Sequence, residues 1–189
     1  MSVADGQRVG ANRGRFMTQC KSGLKITWIT GIFLFTIFTF GCQKDVGAGP
    51  AAPDFSLPDL SGKMVTLKQY RGKIIILDFW ATWCPPCRAA IPELVKLQEK
   101  YRDRGLVVLG ISVDDKRSVD NAYLRSFGKQ LKINYSILRY NLKVIEAYFG
   151  REAPALPTIY VIDRQGQLRD KFVGFNPDGV RNSLERLFK

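Results

Sequence analysis

The sequence predicts an α/β sandwich built on a mixed sheet, and three observations carry that prediction. Two continuous apolar runs of strand length, Lys73 to Ala81 and Leu106 to Val113, each lead into a stretch with helical spacing, the alternation of a sheet buried on both faces. Further on, Thr158 to Ile162 and Gln167 to Phe175 are separated by the turn residues Asp163-Arg164-Gln165-Gly166, which adds a hairpin before a final helical segment. The 189 residues, 46% hydrophobic and 24% charged, have the balance of a globular protein with room for one ordinary domain and a short appendage. A disordered tail or a fibrous repeat is thereby excluded.

The first element in order is not part of that domain. Ile26 to Cys42 (ITWITGIFLFTIFTFGC) is a seventeen-residue run without charge, with basic residues before it and the linker VGAGPAAP (46–53) after it. That is the shape of a secretory signal or a short membrane anchor, and the positive flank stays inside, so the later residues are expected to be exported. The run ends Thr39-Phe40-Gly41-Cys42, which resembles the bacterial lipoprotein processing box, where a small residue precedes a Cys that becomes lipidated. Thr39 and Phe40 depart from that pattern, so lipidation at Cys42 and an uncleaved 26–42 anchor stand as rival readings. A start at Met17 gives a leader of normal length. The expected organisation is a signal or anchor over 1–42, a linker over 43–52 and a domain over 53–189.

Within that domain, Asp54 to Leu67 alternates around Ser61-Gly62-Lys63 and reads as a small β-hairpin. The strand from Lys73 to Ala81 then hands over to TWCPPC and a helix from Pro86 to about Arg104, with Ile91, Leu94, Val95, Leu97 and Tyr101 at helical spacing and Pro92 expected to kink it. After Leu106 to Val113 comes a helix from about Ser118 to Leu131 with Ser118 as its cap, then a short strand at Ser136 to Leu138 and one or two helical turns over Leu142 to Phe149. A helix near Pro177 to Phe188 closes the chain.

Composition narrows the chemistry. There is no His, which excludes Ser/His or Cys/His dyads, His-ligated zinc and His-ligated haem. The net charge of +12 invites a nucleic-acid reading. Residues 1–42, however, hold five of the 29 basic residues and one of the 17 acidic ones, and the 24 basic and 16 acidic residues that remain are interspersed. A solvated basic surface, not a nucleic-acid site, is the expectation. Of the four Cys, Cys20 and Cys42 lie in the leader region, so the domain holds only Cys84 and Cys87. A pair so close cannot staple a long loop, and with no further Cys or His it cannot complete a four-ligand zinc site, so no metal is expected.

Trp83-Cys84-Pro85-Pro86-Cys87 stands where a buried strand gives way to a helix. Free N–H groups and the positive end of the helix dipole there favour a thiolate on Cys84, and Cys87, one turn on, can attack a mixed disulfide from the same side. Asp78 is the lone charge inside IIILDFWA; burial would raise its pKa toward the range of a proton shuttle, with a carboxylate satisfied by backbone as the alternative.

FWATWCPPC followed later by Leu156-Pro157-Thr158 resembles the thioredoxin superfamily, and specifically the membrane-tethered TlpA/ResA-like redoxins, over about Ala51 to Lys189. The resemblance implies a thioredoxin-like three-layer sandwich with a mixed central sheet and an N-terminal β-hairpin, and a thiol-disulfide oxidoreductase that needs no cofactor. It implies Cys84 as the exposed attacking Cys, Cys87 as the resolving one, Asp78 as the buried acid and Pro157 as a cis-proline opposite the disulfide. Trp83, Pro85, Pro86, Leu156 and Pro157 would form the client site, the main chain of Leu156 pairing with an extended client segment. Some relatives carry a Glu three residues after the second Cys; here that place is Ala90, so the acid role falls to Asp78.

Pro85 removes an N–H that could bond a Cys84 thiolate, which points to a reducing pair, because the less stable the dithiol form, the lower the potential. The expected setting is the bacterial extracytoplasmic face, in the periplasm or cell envelope. Client proteins with disulfides, apocytochrome c among them, and a membrane electron donor are the expected partners. A disulfide oxidase or isomerase is the alternative direction. A peroxiredoxin-type thiol peroxidase would have Thr or Ser three residues, and Pro seven residues, before its nucleophile, where this chain has Ala81 and Leu77.

Overall fold

The computed structural model describes residues 49–189. Its centre is a five-stranded sheet in the order β5-β4-β3-β6-β7, made of β3 (Ile74–Trp80), β4 (Leu106–Ser112), β5 (Ser136–Arg139), β6 (Thr158–Ile162) and β7 (Leu168–Val173). The strands β3, β4 and β5 run parallel, while β6 is antiparallel to both β3 and β7, so the sheet is mixed as its sequence pattern requires. Every residue of β3 and of β6 is buried, which explains why these strands read as unbroken apolar runs.

A strand sends successive side chains to opposite faces, and two layers follow from that. On one face Ile74, Ile76, Leu106, Val108, Ile159 and Val161 pack against Leu94 and Leu97 of α1 (Pro85–Tyr101) and Val180 and Leu184 of α4 (Pro177–Leu187). Further along that face Trp80 and Ile137 meet Leu124 and Phe127 of α2 (Asn121–Gln130). On the other face Ile75, Leu77, Phe79, Leu109 and Ile111 meet Val144 and Tyr148 of α3 (Leu142–Phe149) and Leu57 and Val65 of a separate antiparallel pair, β1 (Ser56–Pro58) and β2 (Met64–Thr66). Asp59 shapes the turn of that pair: its carboxylate accepts from the amides of Ser61 and Lys63 at 2.8 and 3.0 Å, and Gly62 takes the positive φ of 92°.

Three boundaries differ from the sequence expectation. Helix α1 starts at Pro85, because Cys84 is its N-cap, and it continues through Pro92 as one element, both Pro92 and the Arg88 whose carbonyl it leaves without a helical donor being exposed. Helix α2 starts at Asn121 and is capped by Asp120, whose side chain accepts from the Tyr123 amide at 2.7 Å; Ser118 instead spends its amide on the carbonyl of Asp115 in a preceding turn. Residues 50–52, at the end of the segment read as a linker, pair with the start of β7: the amide of Leu168 donates to Pro50 and that of Ala52 to Gly166, both at 2.9 Å.

No helix among the described residues is long and apolar enough to cross a membrane. The 26–42 segment and Cys42 lie outside the described residues.

Candidate active site

The end of β3 and the start of α1 create the site. After Trp80 the chain turns, with the Cys84 amide donating to the Ala81 carbonyl at 3.2 Å, and α1 begins at once. Pro85 and Pro86 fill its first two positions, where their fixed φ suits a helix start and an N–H is dispensable. An N-cap side chain is reached by the amides two and three positions on. Pro86 has no N–H to offer, so the Sγ of Cys84 accepts from the Cys87 amide at 3.3 Å. Pro86, and not Pro85, therefore stands where the missing second amide would reach Sγ.

Cys84 and Cys87 are joined by a disulfide with their Cα atoms 5.3 Å apart. Neither is exposed: Cys84 is 3% and Cys87 1% accessible. The expectation of an exposed Cys84 is therefore corrected for this oxidised state, in which both sulfurs turn into a cluster with Trp80, Ile91 and Leu124, with Leu156 packed against it. What is exposed is the rim. Trp83 is 69% accessible, and Pro85 and Pro86 lie beside it in solvent.

Leu156, packed against that cluster, leads into Pro157. The Leu156–Pro157 peptide bond is cis, and the Pro157 carbonyl accepts from the Gly174 amide at 2.8 Å. The hydroxyl of Thr158 donates to the Ala155 carbonyl at 2.6 Å. Between these anchors the main chain of Leu156 makes no hydrogen bond among the described residues. The Gly174 contact also brings Val173 and Phe175 to this rim, 60% and 46% accessible. Both fall in the Gln167 to Phe175 stretch, of which Val173 ends β7, and nothing local in the sequence marks them as neighbours of Pro157.

Asp78 points to the sheet face that α1 covers, the face it shares with Trp80, and pairs across the sheet with Gly110 and Ile159. It is 1% accessible, and neither carboxylate oxygen has a hydrogen-bond partner. The alternative of a carboxylate satisfied by backbone is overturned. Burial without compensation pushes its pKa up to about 7. The other unpartnered buried side-chain atoms among the described residues, Trp80 Nε1 and Tyr135 Oη, belong to the same face. They crowd over Gly110, where an added Cβ would sit 2.8 Å from the indole nitrogen and 3.1 Å from the tyrosine ring. Burial, and then the charge of Asp78, raise the Tyr135 pKa. Ala90 is buried at 2%, while Glu93 is spent on ion pairs with Lys96 and Arg181, so neither adds an acid to the site.

A second buried carboxylate, absent from the sequence reading, holds the turn itself. Asp114, fully buried, accepts from the Thr82 amide at 3.1 Å, the Thr82 hydroxyl at 2.8 Å and the Ser112 hydroxyl at 2.9 Å. Arg139, also buried, approaches Ser112 Oγ at 3.5 Å and donates to the Val119 carbonyl at 2.9 Å. No group of three or more Cys, Asp or Glu side chains among the described residues could hold a metal ion.

Comparison with known proteins places this geometry. The model of the AhpC/TSA family matches residues 48–171. The thioredoxin-like protein YneN of Bacillus subtilis is 34% identical over 157 residues, covering 78% of this chain and 89% of that protein. The thiol-disulfide oxidoreductase ResA of Bacillus cereus is 30% identical over 149 residues, covering 77% and 82%. Among solved structures, a putative thiol:disulfide interchange protein DsbE from Chlorobium tepidum matches with a TM-score of 0.65 at 27% identity, over 76% of this chain and 99% of that one.

Proposed function

Because the chain belongs to the AhpC/TSA family and is a ResA-like thiol-disulfide oxidoreductase of the thioredoxin superfamily, we propose that it reduces protein disulfides outside the cytoplasm through Cys84 and Cys87. The observation that carries this reading is the redox pair at a helix start, with Leu156 of the cis Leu156–Pro157 bond packed against its cluster and Asp78 buried on the sheet face that α1 covers.

In the dithiol form the Cys84 thiolate attacks one sulfur of a client disulfide; a mixed disulfide forms and the client's other sulfur leaves as a thiolate. Cys87 then loses its proton, attacks Cys84 and releases the second client thiol. The client gains two electrons and the pair returns to the disulfide. Asp78, with a pKa near neutrality, is the group on this face suited to accept the Cys87 proton. An extended client segment lies along Leu156, whose main chain is free to pair with it, while Trp83, Pro85, Pro86 and Phe175 supply an apolar rim.

The reducing direction rests on the two prolines. With the Cys87 amide as its sole helix-end donor, a Cys84 thiolate is weakly stabilised, and a pair whose reduced form is weakly stabilised has a low potential. The basic leader, the uncharged 26–42 run and Cys42 support a domain tethered at the bacterial cell envelope and fed with electrons from the membrane, with apocytochrome c as one client class.

Equilibration with dithiothreitol and glutathione buffers tests the direction. A midpoint near that of thioredoxin, about −270 mV or lower, is expected; a value above about −150 mV, toward that of a disulfide donor, overturns it.

A further inference from the structure

We propose that Asp114 is the positioning residue of the redox pair: its carboxylate clamps the turn that ends at Cys84, and its charge sets how readily the disulfide accepts electrons. The inference rests on the reading of Cys84 as the attacking sulfur.

Asp114 is not needed to complete a strand or to cap a helix, yet it is fully buried and ringed by donors. The Thr82 N–H can only donate, and it lies 3.1 Å from both carboxyl oxygens of Asp114, so its bond is shared between them. The Thr82 and Ser112 hydroxyls add further charge-assisted bonds at 2.8 and 2.9 Å. A buried carboxylate is tolerated only when it is paired or well hydrogen-bonded, and the buried Arg139 guanidinium, reaching Ser112 Oγ at 3.5 Å, supplies the opposite charge.

The clamped residue is what gives this network a consequence. Thr82 sits inside the turn closed by the Cys84 amide on the Ala81 carbonyl, so Asp114 on the β4 side fixes where α1 begins and where Cys84 Sγ points. The charge acts as well. A carboxylate bonded to the residue two places before Cys84, with Arg139 reaching Ser112 Oγ and only partly offsetting it, disfavours the Cys84 thiolate and with it the dithiol form, the same direction as the missing Pro86 amide.

The test is the equilibrium of the full-length chain with glutathione, in which two glutathione thiols are oxidised to one glutathione disulfide as the Cys84–Cys87 bond takes up two electrons and two protons. Asp114→Asn keeps an acceptor for Thr82 and removes the charge. Its constant for reduction by glutathione should rise about tenfold, about 30 mV for a two-electron couple. Thr82→Val keeps the charge and takes away the hydroxyl donor that shields it, so its constant should fall twofold or more; Thr82→Ser, with the hydroxyl retained, should match wild type. A merely structural clamp would lower the melting temperature of these variants and leave the constant unmoved. The proposal is overturned if Asp114→Asn stays within twofold of wild type or moves the same way as Thr82→Val. Should Asp114→Asn fail to fold, it is overturned if Thr82→Val and Thr82→Ser have the same constant. The absolute wild-type potential tests the reducing direction separately, since each variant is read against wild type.

Discussion

Asp78 lies between Gly110 of β4 and Ile159 of β6, under the crowded Trp80 and Tyr135, and neither of its carboxylate oxygens has a partner. That isolation has a measurable cost. Unfolded, the carboxyl titrates near 3.8; folded, near 7. The native state therefore binds the proton more tightly, and stability falls as pH rises from about 4 to about 7, then levels off. Three pKa units correspond to about 4 kcal/mol at full ionisation. Asp78→Asn should consequently raise stability at pH 8 by an amount of that order and change it little at pH 3.5, as read by urea denaturation at the two pH values. The same variant should slow resolution of the mixed disulfide by Cys87, so its gain in stability comes with a loss in turnover. Other residues of the site were invisible to a reading along the chain. Thr82 and Asp114 are 32 positions apart, and only the parallel pairing of β3 and β4 makes them neighbours.

At the scale of an element, the start of α1 concentrates the chemistry. The sequence makes it plain that Cys84 opens a helix, since a strand run, two prolines and a helical pattern follow one another. Which proline matters electrostatically requires the N-cap geometry. With Cys84 at the cap, the second helical amide is the one that would reach Sγ, and Pro86 lacks it. Pro86→Ala should therefore raise the midpoint potential by about 30 mV, a tenfold change in the exchange constant, and lower the Cys84 thiol pKa. Pro85→Ala, whose new amide points along the helix axis at the first position, should shift it less. Equal shifts in a glutathione titration of the two variants would sink the assignment. Helix α2 gives the reverse lesson: Ser118 has the residue type of a cap, but Asp120 stands closer to the apolar face at Leu124 and takes the role.

For the molecule as a whole, the alternation of apolar runs and helical stretches was enough to anticipate the mixed sheet and its two covering layers. The same periodicity predicts which positions carry its stability. Leu94, 2% accessible between α1 and the sheet, should lose about 2–5 kcal/mol on replacement by Ala, whereas Leu142, 79% accessible, should change by under about 0.5 kcal/mol; thermal melts of both variants check the contrast. Sequence periodicity says nothing of how the two borders of the sheet are finished, and here the finish has its own effect. On one side the segment after β1 bridges Asp59 to Leu138 of β5; on the other, residues 50–52 cover the beginning of β7, and the rest carries two exposed cations, Arg169 paired with Asp163 and Lys171 over the rings of Tyr160 and Phe149. Open borders are where folded domains stick to one another and seed aggregates, and covering segments together with charged side chains on the edge strand are how such contacts are discouraged. A domain whose work is thiol-disulfide exchange is thus guarded against coalescing with its own kind, and can reach a high local concentration without polymerising.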